Sequence, residues 1–244
     1  MRLSFAGAFA DAAGLWRSER DLLTRLAAVF FFVPILGLVL LLSRIELPAD
    51  ATADQLRALV TAFYEANLLA ILLVNLTINF GTFAVLMLFL HSGRTLGQVL
   101  LLALQRFLPF LAIDMAAGLL FYAGMSLLVL PGLFAFGRTW LMAPAYAAAP
   151  ERGLGEAVRQ GWQRSGGLVW IVIAGAATLT MVAAIVAILV SSTVLGMVSA
   201  MAGGATPVAI AGYLVIALIG ALLWTALAVL RVAFYRLSAP RQGI

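Results

Sequence analysis

From Ser165 to Leu230 the chain carries no charged residue. At about 20 apolar residues per bilayer crossing, such a run holds two membrane spans and the loop between them. Ser191-Ser192, Gly203-Gly204 and Pro207 mark the interruption, which predicts spans at residues 168–190 and 208–230. The rest of the sequence suits the same solvent. Of 244 residues, 64% are hydrophobic and 10% charged, whereas roughly a quarter are charged in an average soluble domain. A water-soluble fold would lack polar surface. The expected fold class is therefore an all-α integral membrane protein with one transmembrane domain over residues 1–244.

Four further apolar blocks complete a six-span reading. Residues 26–42 lie between Arg25 and Arg44, and residues 63–90 are long enough to cross with tilt. Residues 107–130 form the third block, Pro131-Gly132 reads as a tight turn, and residues 133–149 return. Ala49-Asp50-Ala51 resembles a signal-peptide cleavage site, but the polar segment before the first block runs to Arg25. That is too long for a signal n-region, so the first span is expected to be retained. Arginines set the orientation, because short basic loops stay cytoplasmic. Arg2, Arg17, Arg20 and Arg25 put the amino terminus inside; Arg94 and Arg106, then Arg152, Arg159 and Arg164, then Arg231, Arg236 and Arg241 fall on that side too. The loop bearing Glu46, Asp50 and Asp54 and the uncharged last loop fall outside. The expected location is a bacterial inner membrane, crossed several times, with both termini cytoplasmic.

Residues 3–20, 94–106 and 153–165 have apolar side chains near every third or fourth place, the pattern of amphipathic helices lying in the membrane interface. Two of these segments match in register. Leu96-Gly97-Gln98 leads to Gln105-Arg106, as Leu154-Gly155-Glu156 leads to Gln163-Arg164. This suggests a threefold repeat, each unit an interfacial helix followed by an outgoing and a returning span.

Ionisable groups at membrane depth are the first place to seek function, because each costs about 2.5 to 3.5 kcal/mol on insertion scales unless paired or hydrated. Counting along the spans puts Asp114 about 10 Å deep and Arg138 about 16 Å deep. The two are expected to pair between adjacent helices, with Asn75 and Asn79, one turn apart, adding hydrogen bonds at similar depth. One reading of this polar cluster is a site for an anionic or proton-coupled solute. The preferred reading is a salt bridge that fixes helix packing.

Other chemistry finds little support. The sequence has no cysteine, hence no disulfide and no thiolate site. His91 is the sole histidine and is assigned an interfacial role, not a metal-binding one. No nucleophile with a base is recognisable inside the spans, so no catalytic residue, metal or cofactor is assigned. Despite the net charge of +5, the basic residues form no stripe, so nucleic acid is not an expected partner. All basic residues are Arg. Trp16, Trp140, Trp162, Trp170 and Trp224 suit interfacial belts or helix packing, and Gly212 and Gly220 would let helices approach closely.

One segment resembles a known family. Pro131, Gly132, Arg138, Pro144, Glu151, Gly153, Glu156-Ala157, Arg159, Trp162, Arg164 and Gly166-Gly167 are similar to the central region of bacterial six-span inner-membrane proteins. That family includes the membrane domain attached to some glycerophosphoryl diester phosphodiesterases. The resemblance implies the six-span fold; the phosphodiesterase chemistry belongs to a separate soluble barrel. The expected function is a non-enzymatic protein that organises membrane lipids or a protein partner at the cytoplasmic face. The alternatives are a small carrier for a lipid-like or amphipathic solute, and an accessory protein or enzyme of phospholipid metabolism.

Overall fold

Helices start where the sequence offers caps. The computed structural model describes residues 4–45, 52–91, 93–201 and 206–239, and among these every regular element is helical. Arg2, Leu3, Glu46, Asp50, the Ala49-Asp50-Ala51 triplet, Gly203-Gly204 and Arg241 lie outside the described residues. Ser4 accepts from the Gly7 amide at the start of α1 (Phe5–Ser18). Thr52 and Gln55 form a reciprocal capping box at the start of α4 (Ala53–Leu90), and Thr95 and Gln98 do the same for α5 (Leu96–Leu127). Each box satisfies two amide donors that the first helical turn would leave unpaired.

Five helices are long and apolar enough to cross a bilayer: Arg20–Leu42, α4, α5, α9 (Val169–Met201) and α10 (Thr206–Leu237). The chain is thus a multi-pass membrane protein. The first consists of α2 (Arg20–Ala27), a π-helical turn (Ala28–Phe32) and α3 (Val33–Leu42). The π turn precedes Pro34, whose ring nitrogen cannot donate to the preceding turn, so a widened turn absorbs the missing bond. In α4, Asn67 leaves helical geometry at φ −119° and ψ 16°, while its side-chain amide donates to the Phe63 carbonyl at 2.9 Å.

Several boundaries differ from the sequence reading. The expected fourth span is split into α6 (Val129–Thr139) and α7 (Met142–Ala148), separated at Trp140 and Leu141. The reversal before it falls at Leu128, extended at φ −165° and ψ 159°, and not at Pro131-Gly132. Pro131 lies in the first turn of α6, where its missing N–H has no helical partner to lose. Close approach, not a turn, explains Gly132: a Cβ at Gly124 would come within 2.7 Å of the Gly132 Cα. The segment 94–106 is not a separate helix but continues through Pro109 into the span, and α9 runs past Ser191-Ser192. By contrast, α1 and α8 (Gly153–Arg164) stand alone. Gly153 at φ +81° and Gly167 at φ +60° supply left-handed turns on either side of α8 that a side chain would strain.

Packing is concentrated in one region. No residue of α4 before Ile78 is buried, the buried residues of α9 are Ile173, Ala174, Ala176 and Ala177, and those of α10 begin at Ala217. On the same part of α4, Phe83 stacks 4.3 Å from Phe110 of α5 and 6.0 Å from Tyr146 of α7. Elsewhere the helices show bare apolar side chains, such as Leu68, Leu69, Leu189 and Met197. At about 25 cal/mol per Å² of apolar area, exposing them to water would be ruinous, so hydrocarbon is their solvent. Of the two glycines expected to permit close approach, Gly220 does so, a Cβ there reaching 3.1 Å from Ile35, while Gly212 is in ordinary contact with Leu195.

Candidate functional site

Charged side chains collect where α5, α6, α7, α8 and α10 converge. Asp114 on α5 pairs with Arg231 on α10, Oδ1 accepting from Nη1 at 3.1 Å, with the two side chains 26% and 17% exposed. This corrects the expected pairing of Asp114 with Arg138. Arg138 is held instead over the Trp162 ring of α8, its Cζ 4.2 Å from the centroid. Asn75 and Asn79 join neither group. The side-chain amide of each donates one bond to a carbonyl one turn back within α4, Asn75 to Ile71 and Asn79 to Asn75. The four residues expected to form one polar cluster therefore divide into an ion pair with a different partner, a ring-stacked cation and two amides bonded back to their own helix.

A different arrangement replaces that cluster. Arg138 of α6 stacks on Trp162 of α8; Arg164 of α8 stacks on Tyr235 of α10 at 4.1 Å; Arg231 of α10 stacks on Trp140, between α6 and α7, at 4.5 Å. Each segment thus gives a guanidinium to the next and receives one, closing a circuit of three cation–π contacts. Such contacts contribute about 0.5 to 2 kcal/mol each, more where water is excluded. Hydrogen bonds reinforce the circuit. Arg164 Nη1 donates to the Tyr235 carbonyl at 3.1 Å, Tyr235 donates its hydroxyl to Gln160 at 3.2 Å, and the fully buried Ser165 donates to the Arg138 carbonyl at 2.8 Å.

Small residues make the circuit possible. A Cβ on Gly161 would lie 2.6 Å from Met142 Cα, and one on Gly137 would lie 2.5 Å from the Trp170 carbonyl oxygen. The first glycine lets α8 lie against α7, and the second lets α6 meet the start of α9. Among the described residues, Asp114 is the one carboxylate paired with any of the three arginines. Two donors here lack partners: Arg138 Nε and Trp140 Nε1 are both buried without an acceptor, each a cost of about 1 to 3 kcal/mol.

The family-like motif residues have separable positions. Trp162 and Arg164 belong to the circuit, and Gly132 packs against Met125. Glu156 and Arg159 pair with each other along α8 at 2.9 Å, which holds the Glu156 carboxyl below its ordinary pKa. Glu151 is exposed in a short 3-10 turn after α7, on the side of His91. His91 caps the end of α4, with Nδ1 buried and unpartnered. Arg231 and Tyr235 are the site residues that the sequence reading missed. Arg231 served there only as a topology marker; its signal was that four more apolar or aromatic residues, Val232 to Tyr235, follow it before Arg236.

Beside the ion pair lies a cleft of about 130 Å³ that includes Asp114 and Arg231 but none of Asn75, Asn79 and Arg138. Its wall is otherwise mostly apolar. No family model, no curated protein and no solved structure matches the chain.

Proposed function

We propose that this is a non-enzymatic membrane protein that organises anionic phospholipids at the cytoplasmic face of a bacterial inner membrane. The observation that carries this reading is the circuit of Arg138, Arg164 and Arg231 on three aromatic rings with a single paired carboxylate. A ring-stacked guanidinium keeps its edge N–H groups free for phosphate oxygens, and Arg presents them in a planar fork. Of the groups on which the carrier reading relied, the cleft beside the ion pair includes Asp114 and none of Asn75, Asn79 and Arg138.

In this reading the chain threads as three hairpins with both termini inside: Arg20–Leu42 with α4, α5 with α6–α7, and α9 with α10. A hairpin returns the chain to the side it left, so the split fourth span does not alter the parity. The middle hairpin keeps its tip in hydrocarbon, since Leu127, Leu128, Val129 and Leu130 are all largely exposed and apolar. The segments preceding the hairpins, α1, the start of α5 and α8, lie at the interface, and their order is that of a triplicated unit. Kinship with the six-span family rests on the motif residues alone.

The test is native mass spectrometry of the protein extracted gently from membranes containing both anionic and zwitterionic phospholipids. Anionic lipid should be retained in preference. Replacing Arg138 and Arg164 together with Gln should weaken retention about fivefold per arginine, the equivalent of about 1 kcal/mol each. Equal retention of both headgroup classes by the unmodified protein would refute the proposal.

A further inference from the structure

Arg231 donates one N–H, from Nη1, to Asp114 and has no other protein acceptor among the described residues. A guanidinium carries five N–H groups, so most of this cation's hydrogen-bonding capacity is unspent. The cleft beside it is lined by Ile113, Ala117, Phe121 and Phe136. Trp140, 5% exposed, also lines it and carries an indole N–H without an acceptor. The cleft's volume of about 130 Å³ is comparable to an engineered cavity of about 150 Å³ that binds benzene, which leaves room for a short length of acyl chain beside the polar end at Asp114 and Arg231. The medium at its mouth is hydrocarbon, because Met115, Leu119 and Tyr122 of the same helix are exposed apolar or aromatic side chains.

From this juxtaposition we infer that the cleft between α5, α6–α7 and α10 seats part of one acyl chain of a bound anionic phospholipid, whose phosphate meets the free N–H groups of Arg231. The inference rests on the headgroup reading above and adds a defined seat to it. Charge and shape agree on the occupant. A free anion would leave the apolar wall uncovered, and an uncharged hydrocarbon would leave the guanidinium unsatisfied. Asp114 holds the arginine at the mouth while the seat is empty and shares it when a phosphate arrives.

Gly118 offers a way to close the seat without disturbing the fold. It lines the cleft, and a Cβ built on it meets no atom within 4 Å. Gly118→Leu should fill the space, whereas Gly118→Ala should leave most of it open. The full-length protein is placed in nanodiscs of phosphatidylglycerol brominated along its acyl chains, with brominated phosphatidylcholine as the second arm. Bromine quenches tryptophan on contact, and the Trp140 contribution is the difference between the parent and Trp140→Phe. A ring this buried is shielded from surrounding lipid, so its quenching reports a chain inside the cleft.

Brominated phosphatidylglycerol should remove most of the Trp140 emission in the parent and in Gly118→Ala, and little of it in Gly118→Leu. Brominated phosphatidylcholine should quench it less. Unquenched Trp140 in the parent, or equal quenching in Gly118→Leu that still unfolds at the parental temperature, overturns the seat. Equal quenching by both lipids overturns the assignment of an anionic occupant, since the phosphate of phosphatidylcholine can also meet Arg231. If anionic lipid is still retained in preference while Trp140 stays bright, the seat fails and the headgroup reading stands; loss of that preference defeats the headgroup reading itself.

Discussion

Replacing Asp114 with Leu strands Arg231 among helices whose surroundings are apolar. Nη1 and Oδ1 are 3.1 Å apart, and two unit charges about 4 Å apart attract by about 4 kcal/mol at an effective dielectric constant of about 20. Because 26% of the Asp114 side chain and 17% of the Arg231 side chain remain accessible, part of that attraction is screened. Arg231 also keeps Trp140 beneath it. We therefore expect Asp114→Leu to cost about 2 to 3 kcal/mol, short of the about 3 to 5 kcal/mol for removing one partner of a fully buried pair. Arg231→Leu should cost more, since the ion pair and the ring contact both go. The double replacement leaves no unpaired charge, so its cost should fall about 2 kcal/mol below the sum of the single costs. Equilibrium unfolding in mixed micelles measures all four corners of the cycle. The same cycle on Asp114 and Arg138 should be additive within about 0.5 kcal/mol. Additive costs for Asp114 and Arg231, or coupling between Asp114 and Arg138, would refute the assigned pair.

Gly161→Leu should destabilise by at least about 1 to 3 kcal/mol, because its side chain would enter the backbone of Met142; Gly155→Ala, with nothing within 4 Å, should be neutral or gain up to about 1 kcal/mol in thermal unfolding. The chain has no cysteine, so single cysteines report membrane position directly: Leu128→Cys should resist a membrane-impermeant maleimide from either side, whereas Thr52→Cys should react from outside, and ready labelling at Leu128 would place the hairpin tip in water. Burial, followed by the nearby Arg94, holds His91 below its ordinary pKa of 6.5. The unfolded chain then takes up the proton first, so stability should be full above pH 6.5 and decline as pH falls below it; His91→Gln should flatten that decline in a pH series of unfolding midpoints.

The sequence by itself determined the solvent and the class of fold. A charge-free run from Ser165 to Leu230 dictates hydrocarbon whatever it packs against, and hydrocarbon dictates helices, because each helix satisfies its own backbone. The starts of α4 and α5 are set by local capping boxes at Thr52 and Thr95, but the sequence reading began those spans at residues 63 and 107, where the apolar blocks begin. The depths expected for Asp114 and Arg138 likewise rest on local geometry alone, about 1.5 Å per residue along a helix. Depth alone did not select the partner of Asp114. Residues on adjacent spans compete for one carboxylate, and the winner, Arg231, is 117 positions away. That choice depends on the angular setting of the helices around one another, which is set by side-chain packing. Gly161 lets α8 rest on Met142, Trp162 thereby comes under Arg138, and α10 is left facing Asp114. Tertiary structure also placed the turn at Leu128 and the break at Trp140. There Gly124 and Gly132 allow two helices to meet backbone to backbone, a fit that neither helix encodes on its own.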